Sequence, residues 1–190
     1  MGLYIRTYIN LKFISSDEEA IDNLRDEPGY AEIHVNPYFP GRADSLQDGI
    51  YSCAEVFEFR AGSYSWYGLF RRALAALGGM EDVESVWKHP KTHEDQPFFE
   101  LVNFADNDGT LDRSTCSKLA DDFAQYELEM RRRALELGQT TITAMISDGH
   151  WDMGENTPEM VAKDFTEMYK NFKAAFQQAA ADEAGAVVFR

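Results

Sequence analysis

Arg60, Ser63, Tyr64, Ser65 and Tyr67 form the grouping in this chain whose types and spacing best suit binding chemistry. They lie within Phe57–Arg72, which reads FEFRAGSYSWYGLFRR. Phe57 and Phe59 alternate with Glu58 and Arg60, the period-two pattern of a half-buried strand. Gly62 supplies a turn. Ser63 or Ser65 can then cap a helix whose apolar stripe is Trp66, Leu69, Phe70, Ala73, Leu74 and Leu77. The pattern predicts a guanidinium and serine hydroxyls beside a helix N-terminus, where unbonded N–H groups favour an anion. Tyr64 and Tyr67 can stack on a base or cover a sugar, whereas Trp66 is better suited to the core. Arg71 and Arg72 fall two turns into the helix and point away from its start. The plainer alternative is a capped helix with Arg60 paired to one of the many acids nearby.

A second grouping is Asp106, Asn107, Asp108, Gly109 and Asp112. It resembles the middle of a calcium loop. With Gly109 at the sixth position, however, Phe104 and Thr115 occupy the first and twelfth, where oxygen ligands are needed. The EF-hand assignment fails on that count. A looser divalent-metal site, with Asp106 and Asp108 serving a hydrolase, stands against a tight turn leading to a helix cap. Asp121 and Asp122 are expected to be solvated charge. His89 and His93 are four apart, but Pro90 between them spoils a helical ligand pair, and His150 stands alone beside Trp151. No GxSxG or phosphate-loop pattern occurs in the chain. Arg60, Ser63, Glu127 and Glu129 follow the order of the Arg–Ser–Glu pattern of ADP-ribosyltransferases, but these glutamates fall inside a predicted helix rather than on the strand that chemistry uses. No catalytic residue, metal or cofactor is assigned.

With 33 acidic and 18 basic residues, the net charge is −15. A general nucleic-acid-binding surface is therefore excluded, because phosphates would be repelled. The acidity either serves solubility or matches a basic partner, including by mimicry of nucleic acid. Apolar residues make up 44 % and aromatics 13 %, enough for a folded core. Of the cysteines, Cys53 and Cys116 form no CxxC; Cys116 falls on an apolar helix stripe as a buried thiol, in keeping with a reducing cytoplasm. The opening MGLYIRTYINLKF alternates and is not expected to be a signal peptide, and no apolar run approaches a membrane span.

The elements that must position these groups follow from periodicity. Leu3, Ile5, Ile9, Leu11 and Phe13 share one parity and predict a strand. An acidic helix over Ser15–Asp26, capped by Ser16, is followed by loop from Glu27 to Gly49 with a short strand at Ala31–Val35. Ile50–Phe59 is a second strand, and the helix after it ends at Gly78-Gly79. Met80–Pro97 reads as irregular, with a helical turn at Val83–Trp87. Phe98–Phe104 reads as a buried strand and Ala105–Gly109 as a turn. A long helix capped by Asp112 or Ser114 runs to Leu137, with Gly138 as its stop, and the β-rich Thr140–Ser147 suggests a strand. Thr157-Pro158 opens a last helix with the stripe Val161, Phe165, Met168, Tyr169, Phe172, Phe176 and Ala179. Gly185 ends it, and Ala186–Phe189 closes the chain as a strand. The sum is one α+β domain over residues 1–190, a mainly antiparallel or mixed sheet with about three helices packed on it. A doubly wound parallel sheet is the alternative.

The blocks FRAGSYSWYGLFRRALA, FFELVNFADNDGTL, KLADDF and the closing GAVVF, together with the opening MGLYI, resemble a family of uncharacterised proteins encoded by phages and prophages. The resemblance implies a bacterial cytoplasmic setting and an accessory role such as countering host defence. Action by binding rather than turnover is the resulting expectation. The ligand would be an anionic, nucleotide-like small molecule at Arg60, Ser63, Tyr64, Ser65 and Tyr67. The alternatives are inhibition of a basic host protein by the acidic surface, and the metal-dependent hydrolase at Asp106 and Asp108.

Overall fold

A computed structural model describes residues 2–80, 83–104, 109–147 and 156–190. The elements in order are β1 (Tyr4–Ser15), α1 (Glu18–Leu24), β2 (Tyr30–Ile33), β3 (Gly49–Arg60), α2 (Tyr64–Leu77), α3 (Val83–Lys88), a 3-10 turn (Pro90–Thr92), α4 (Phe99–Val102), β4 (Gly109–Asp112), α5 (Arg113–Gln125), α6 (Glu127–Ser147), α7 (Pro158–Ala181) and β5 (Ala186–Phe189). The strands form a five-stranded sheet of order β2-β3-β1-β5-β4, antiparallel at every junction. This is an α+β fold. No helix among the described residues is long and apolar enough to cross a membrane.

The single apolar parity expected for β1 divides. Pairing with β3 shifts between Thr7 and Tyr8, and Asn10 takes a left-handed φ of 56°. A shift of this kind moves the side chains beyond it to the opposite face. Leu3 and Ile5 therefore enter the large core beneath the helices, while Tyr8 and Leu11 join Ala31, Ile33, Tyr51, Ala186 and Val188 in a smaller cluster. Phe13, beyond the irregularity, is left 43 % exposed. The sheet also curls, since Arg190 Nη2 donates to Glu32 O of β2 at 2.9 Å.

The large core is aromatic. α7 buries Phe165, Phe172 and Phe176 on one stripe. The rings of Phe70 and Phe172 stack at 5.5 Å and 7°, and those of Phe123 and Tyr169 lie 4.5 Å apart. Tyr169 Oη donates to Phe123 O at 2.8 Å, so the phenol enters the core with its polar end satisfied.

Several expectations are corrected. Phe98–Phe104 is not a strand: Phe98 has φ 65° and leads into the short α4. Its backbone is satisfied by helical bonds such as Val102 N–H to Phe98 O and by side chains instead of a ladder, with Arg42 donating to Glu100 O and Asn103 O and Trp87 Nε1 to Val102 O. The long helix divides at Tyr126 into α5 and α6. Gly138 lies inside α6, and Thr140–Ser147 continues that helix. There Thr140 and Thr143 hydroxyls bond back to Glu136 O and Gln139 O, a local solution that lets β-branched residues remain helical. Gly109–Asp112 forms β4, where no strand is predicted. Asp17, not Ser16, occupies the N-cap position of α1, and its side chain makes no capping hydrogen bond.

Candidate functional site

Ser63 is the residue that starts α2. Its backbone is extended (φ −75°, ψ 161°), its Oγ accepts from Trp66 N–H at 3.2 Å, and its carbonyl accepts from Tyr67 N–H at 2.9 Å. No acidic residue occupies the first turn of α2, so nothing there neutralises the positive end of the helix. Gly62 precedes it with φ +86°, and a β-carbon at that position would come 3.0 Å from Trp66 Cδ1. Both conformation and space call for glycine.

The structure divides the predicted site residues. Arg60 and Ser65 are exposed and Tyr64 is half-buried. Tyr67 is fully buried, its ring against Phe172 and Phe189 with the Arg71 guanidinium 4.9 Å from its centroid. It therefore cannot cover a base or ribose: its helical spacing from Phe70 and Leu74 turns it into the core. Trp66 packs against Phe165 as expected. Arg71 is also buried, donating to Phe104 O at 2.8 Å, while Arg72 is exposed.

Arg60 stands at the end of β3 directly opposite Tyr4 of β1, and Tyr4 exchanges backbone hydrogen bonds with Arg190. Residues paired across antiparallel strands share a face. Arg60, Tyr4 and Arg190 thus form one transverse row on the face opposite the helices, with Tyr4 42 % exposed between the two arginines. In the next row Arg6 Nε pairs with Glu58 at 2.5 Å and reaches Glu55 at 3.8 Å. Glu58, the acid nearest in sequence, is thereby engaged by Arg6. Arg60 makes no hydrogen bond or ion pair among the described residues. Its guanidinium lies over Gly2, where a β-carbon would be 2.7 Å from Nη2. Leu3 N–H to Gly62 O at 2.8 Å and Ala61 N–H to Leu3 O at 2.9 Å fix the start of the chain against the turn. Tyr4 and Arg190 escape sequence reasoning because only strand pairing brings them beside Arg60.

The other groupings are committed to structure or lie elsewhere. Asp106, Asn107 and Asp108 fall outside the described residues, as do His150, Trp151 and Asp152. Asp112 caps α5, accepting from Thr115 N–H and Ser114 Oγ on Oδ1 and from Ser45 N–H and Oγ on Oδ2. Burial alone would raise its pKa, but these hydrogen bonds hold it below the usual carboxylate range. Asp122 is not solvated charge: it accepts from Phe98 N–H, and burial, outweighing that bond, raises its pKa. Glu127 pairs with Lys173 and Arg131, and Glu129 with Arg132. Cys53 and Cys116 are free thiols; Cys116 is buried, which pushes its pKa up and makes it a poor nucleophile. Among the described residues no group of three or more His, Cys, Asp or Glu side chains is arranged to hold a metal. No protein-family model, curated protein or solved structure matches the chain.

Proposed function

We propose that this protein acts by binding an anionic, nucleotide-like small molecule where β3 passes into α2. One observation carries the assignment: Arg60 is exposed and has no hydrogen-bond or ion-pair partner among the described residues, although the chain carries 33 acids. Tyr4 beside it offers a half-exposed ring for a base or ribose, taking the role first expected of Tyr67. Ser65 and the first turn of α2 offer a hydroxyl and backbone donors. In the setting that the phage resemblance suggests, such binding would sequester a signalling nucleotide and so counter host defence.

A charge-assisted hydrogen bond contributes about 1.5–3 kcal/mol, so Arg60→Ala should weaken such a ligand roughly ten- to a hundredfold. The test is calorimetric titration of wild type and Arg60→Ala with mono-, di- and cyclic nucleotides. Affinity in the wild type with a loss in the variant supports the assignment. Equal affinity in both, or none in the wild type, removes it.

A second possibility is inhibition of a basic host protein, and the net charge of −15 favours it. Such a complex would weaken steeply as salt rises, because exposed charges are screened over about 8 Å at physiological ionic strength. The hydrolase alternative rests on Asp106 and Asp108. Calorimetry with magnesium or calcium on wild type and Asp108→Ala separates it from the binding function.

A further inference from the structure

A cavity of about 350 Å³ opens on the sheet face away from the large core. It lies between the far end of β1, the loop from β2 to β3, the start of α5 and the turn joining α7 to β5. Leu11, Phe13, Leu46 and Tyr51 make its apolar wall. Phe13 is 43 % exposed, and its ring stands edge-on to the buried Tyr51 at 5.4 Å and 75°. A fixed ring with an open side suits an apolar body packing against it. The volume lies within the range of small-molecule sites, roughly 300–1,000 Å³.

The second observation concerns charge. The charged groups of the lining are Arg113, the first residue of α5, and Glu183 of the turn before β5. Both are exposed, and neither makes a hydrogen bond or ion pair among the described residues, with the other or with any third group. Their backbones are nevertheless pinned. Asp112, next to Arg113, accepts from Ser45 N–H at 3.1 Å and Ser45 Oγ at 2.8 Å. Asp182, next to Glu183, accepts from Asn10 N–H at 3.0 Å and Ala184 N–H at 2.9 Å. Leu11 N–H donates to Ala184 O at 3.1 Å, which ties the same turn to β1. Hydroxyls of the wall are already engaged, Ser45 Oγ by Asp112 and Tyr51 Oη by Gln47 O at 3.1 Å. A cation and an anion thus border one apolar-walled space from fixed points without neutralising each other.

The ligand chemistry follows from these parts. The planar guanidinium of Arg113 matches the two oxygens of a carboxylate. Glu183, as a carboxylate, can only accept and suits an ammonium. The wall at Phe13 and Leu46 suits an uncharged apolar group. We infer that this cavity binds a free apolar or aromatic α-amino acid, its carboxylate on Arg113, its ammonium on Glu183 and its side chain against Phe13 and Leu46. The site lies toward the opposite end of β1 from the Tyr4–Arg60 pair and does not depend on binding there.

The test is calorimetric titration of the full chain with L-phenylalanine and with two analogues that each lack one charge, phenethylamine and 3-phenylpropionate. Circular dichroism establishes that each variant is folded. Wild type should bind phenylalanine at least tenfold more tightly than either analogue. Arg113→Ala should weaken phenylalanine roughly ten- to a hundredfold, the loss of a charge-assisted contact, while leaving phenethylamine unchanged. Glu183→Gln should weaken phenylalanine and leave 3-phenylpropionate unchanged. Arg60→Ala should bind phenylalanine like wild type, which keeps the two sites distinguishable. Absence of phenylalanine binding in the wild type, analogues that bind as tightly as phenylalanine, or unchanged phenylalanine affinity in Arg113→Ala or Glu183→Gln overturns the assignment.

Discussion

Asp122 Oδ2 accepts the backbone N–H of Phe98 at 2.8 Å, and Phe98 holds a left-handed backbone with φ 65°. The side chain of Phe98 is fully buried, its ring edge-on to Phe123 at 5.1 Å. A bulky residue with positive φ is strained by about 1–3 kcal/mol and persists only where its surroundings over-determine it. Asp122 is one of those determinants, because it supplies the acceptor that a continuing helix or strand would have supplied.

Asp122→Ala should therefore lower stability by about 1–3 kcal/mol, the cost of leaving a buried donor unmet. Asp122→Asn keeps an acceptor oxygen in place and should recover most of the loss. Urea unfolding of the three proteins measures this. If Ala and Asn variants were equally destabilised, the hydrogen bond to Phe98 would not be what matters at this position.

Asp112 makes a prediction about pH. It joins the loop at Ser45 to the start of α5, and its hydrogen bonds depress its pKa against the opposing effect of burial. A carboxyl whose folded pKa lies below its unfolded value stabilises fully above the unfolded value, near pH 4, and loses that contribution as pH falls through the folded one. Asp112→Asn can still cap the helix but cannot titrate. The stability difference between wild type and Asp112→Asn should be largest near neutrality and shrink below about pH 4. Asp112→Ala should cost about 0.5–2 kcal/mol for the cap alone. Denaturant midpoints across pH for both variants give the comparison, and a difference that grew with acid would reverse the assigned sign.

Arg60 and Gly2 give a prediction that separates binding from folding. Arg60 is exposed and makes no described hydrogen bond, so Arg60→Ala should change stability by no more than about 0.5 kcal/mol. Gly2→Ala would place a β-carbon against the guanidinium. The long side chain can move, so stability should again hold while Arg60 is displaced from its position beside Tyr4. Both variants should melt with wild type and both should lose nucleotide affinity. A large drop in melting temperature for Arg60→Ala would make Arg60 a structural residue.

What could be read from the sequence was what depends on neighbours along the chain. The period-two run ending at Arg60, the stripe from Val161 to Ala179 and the caps at Ser63 and Asp112 all appear in the structure because strand alternation, helix spacing and capping are local properties. The misreadings share the opposite origin. FFELVNF is apolar on every side, and periodicity cannot separate a buried strand from a buried helical turn; Asp122, Arg42 and Trp87, distant in sequence, decide it. Tyr67 is the exception: it stands three and seven residues before Phe70 and Leu74 on the buried face of α2, so helical spacing already carried the signal that it belongs to the core. The Arg60–Tyr4–Arg190 row and the cavity at Arg113 and Glu183 are products of strand pairing and tertiary packing, with no local signal in the chain.

Gly138 yields the sharpest test of the helical layer. Sequence logic makes it a helix stop, yet it lies within α6, where glycine costs roughly 0.8–1.0 kcal/mol relative to alanine. On propensity alone Gly138→Ala should stabilise. The packing argues the reverse. A β-carbon at Gly138 would come 2.5 Å from Pro158 O and 3.2 Å from Ala162 N, backbone atoms at the start of α7 that can move only with the helix. Overpacking of this kind costs about 1–3 kcal/mol, and so close an approach belongs at the upper end, leaving a net loss of about 1–2 kcal/mol. Gly68 is the control. It lies inside α2 with nothing within 4 Å of its would-be β-carbon, so Gly68→Ala should gain up to about 1 kcal/mol. Opposite shifts in the denaturant midpoints of the two variants are expected. Stabilisation by both would mean that α6 and α7 do not approach each other this closely at Gly138.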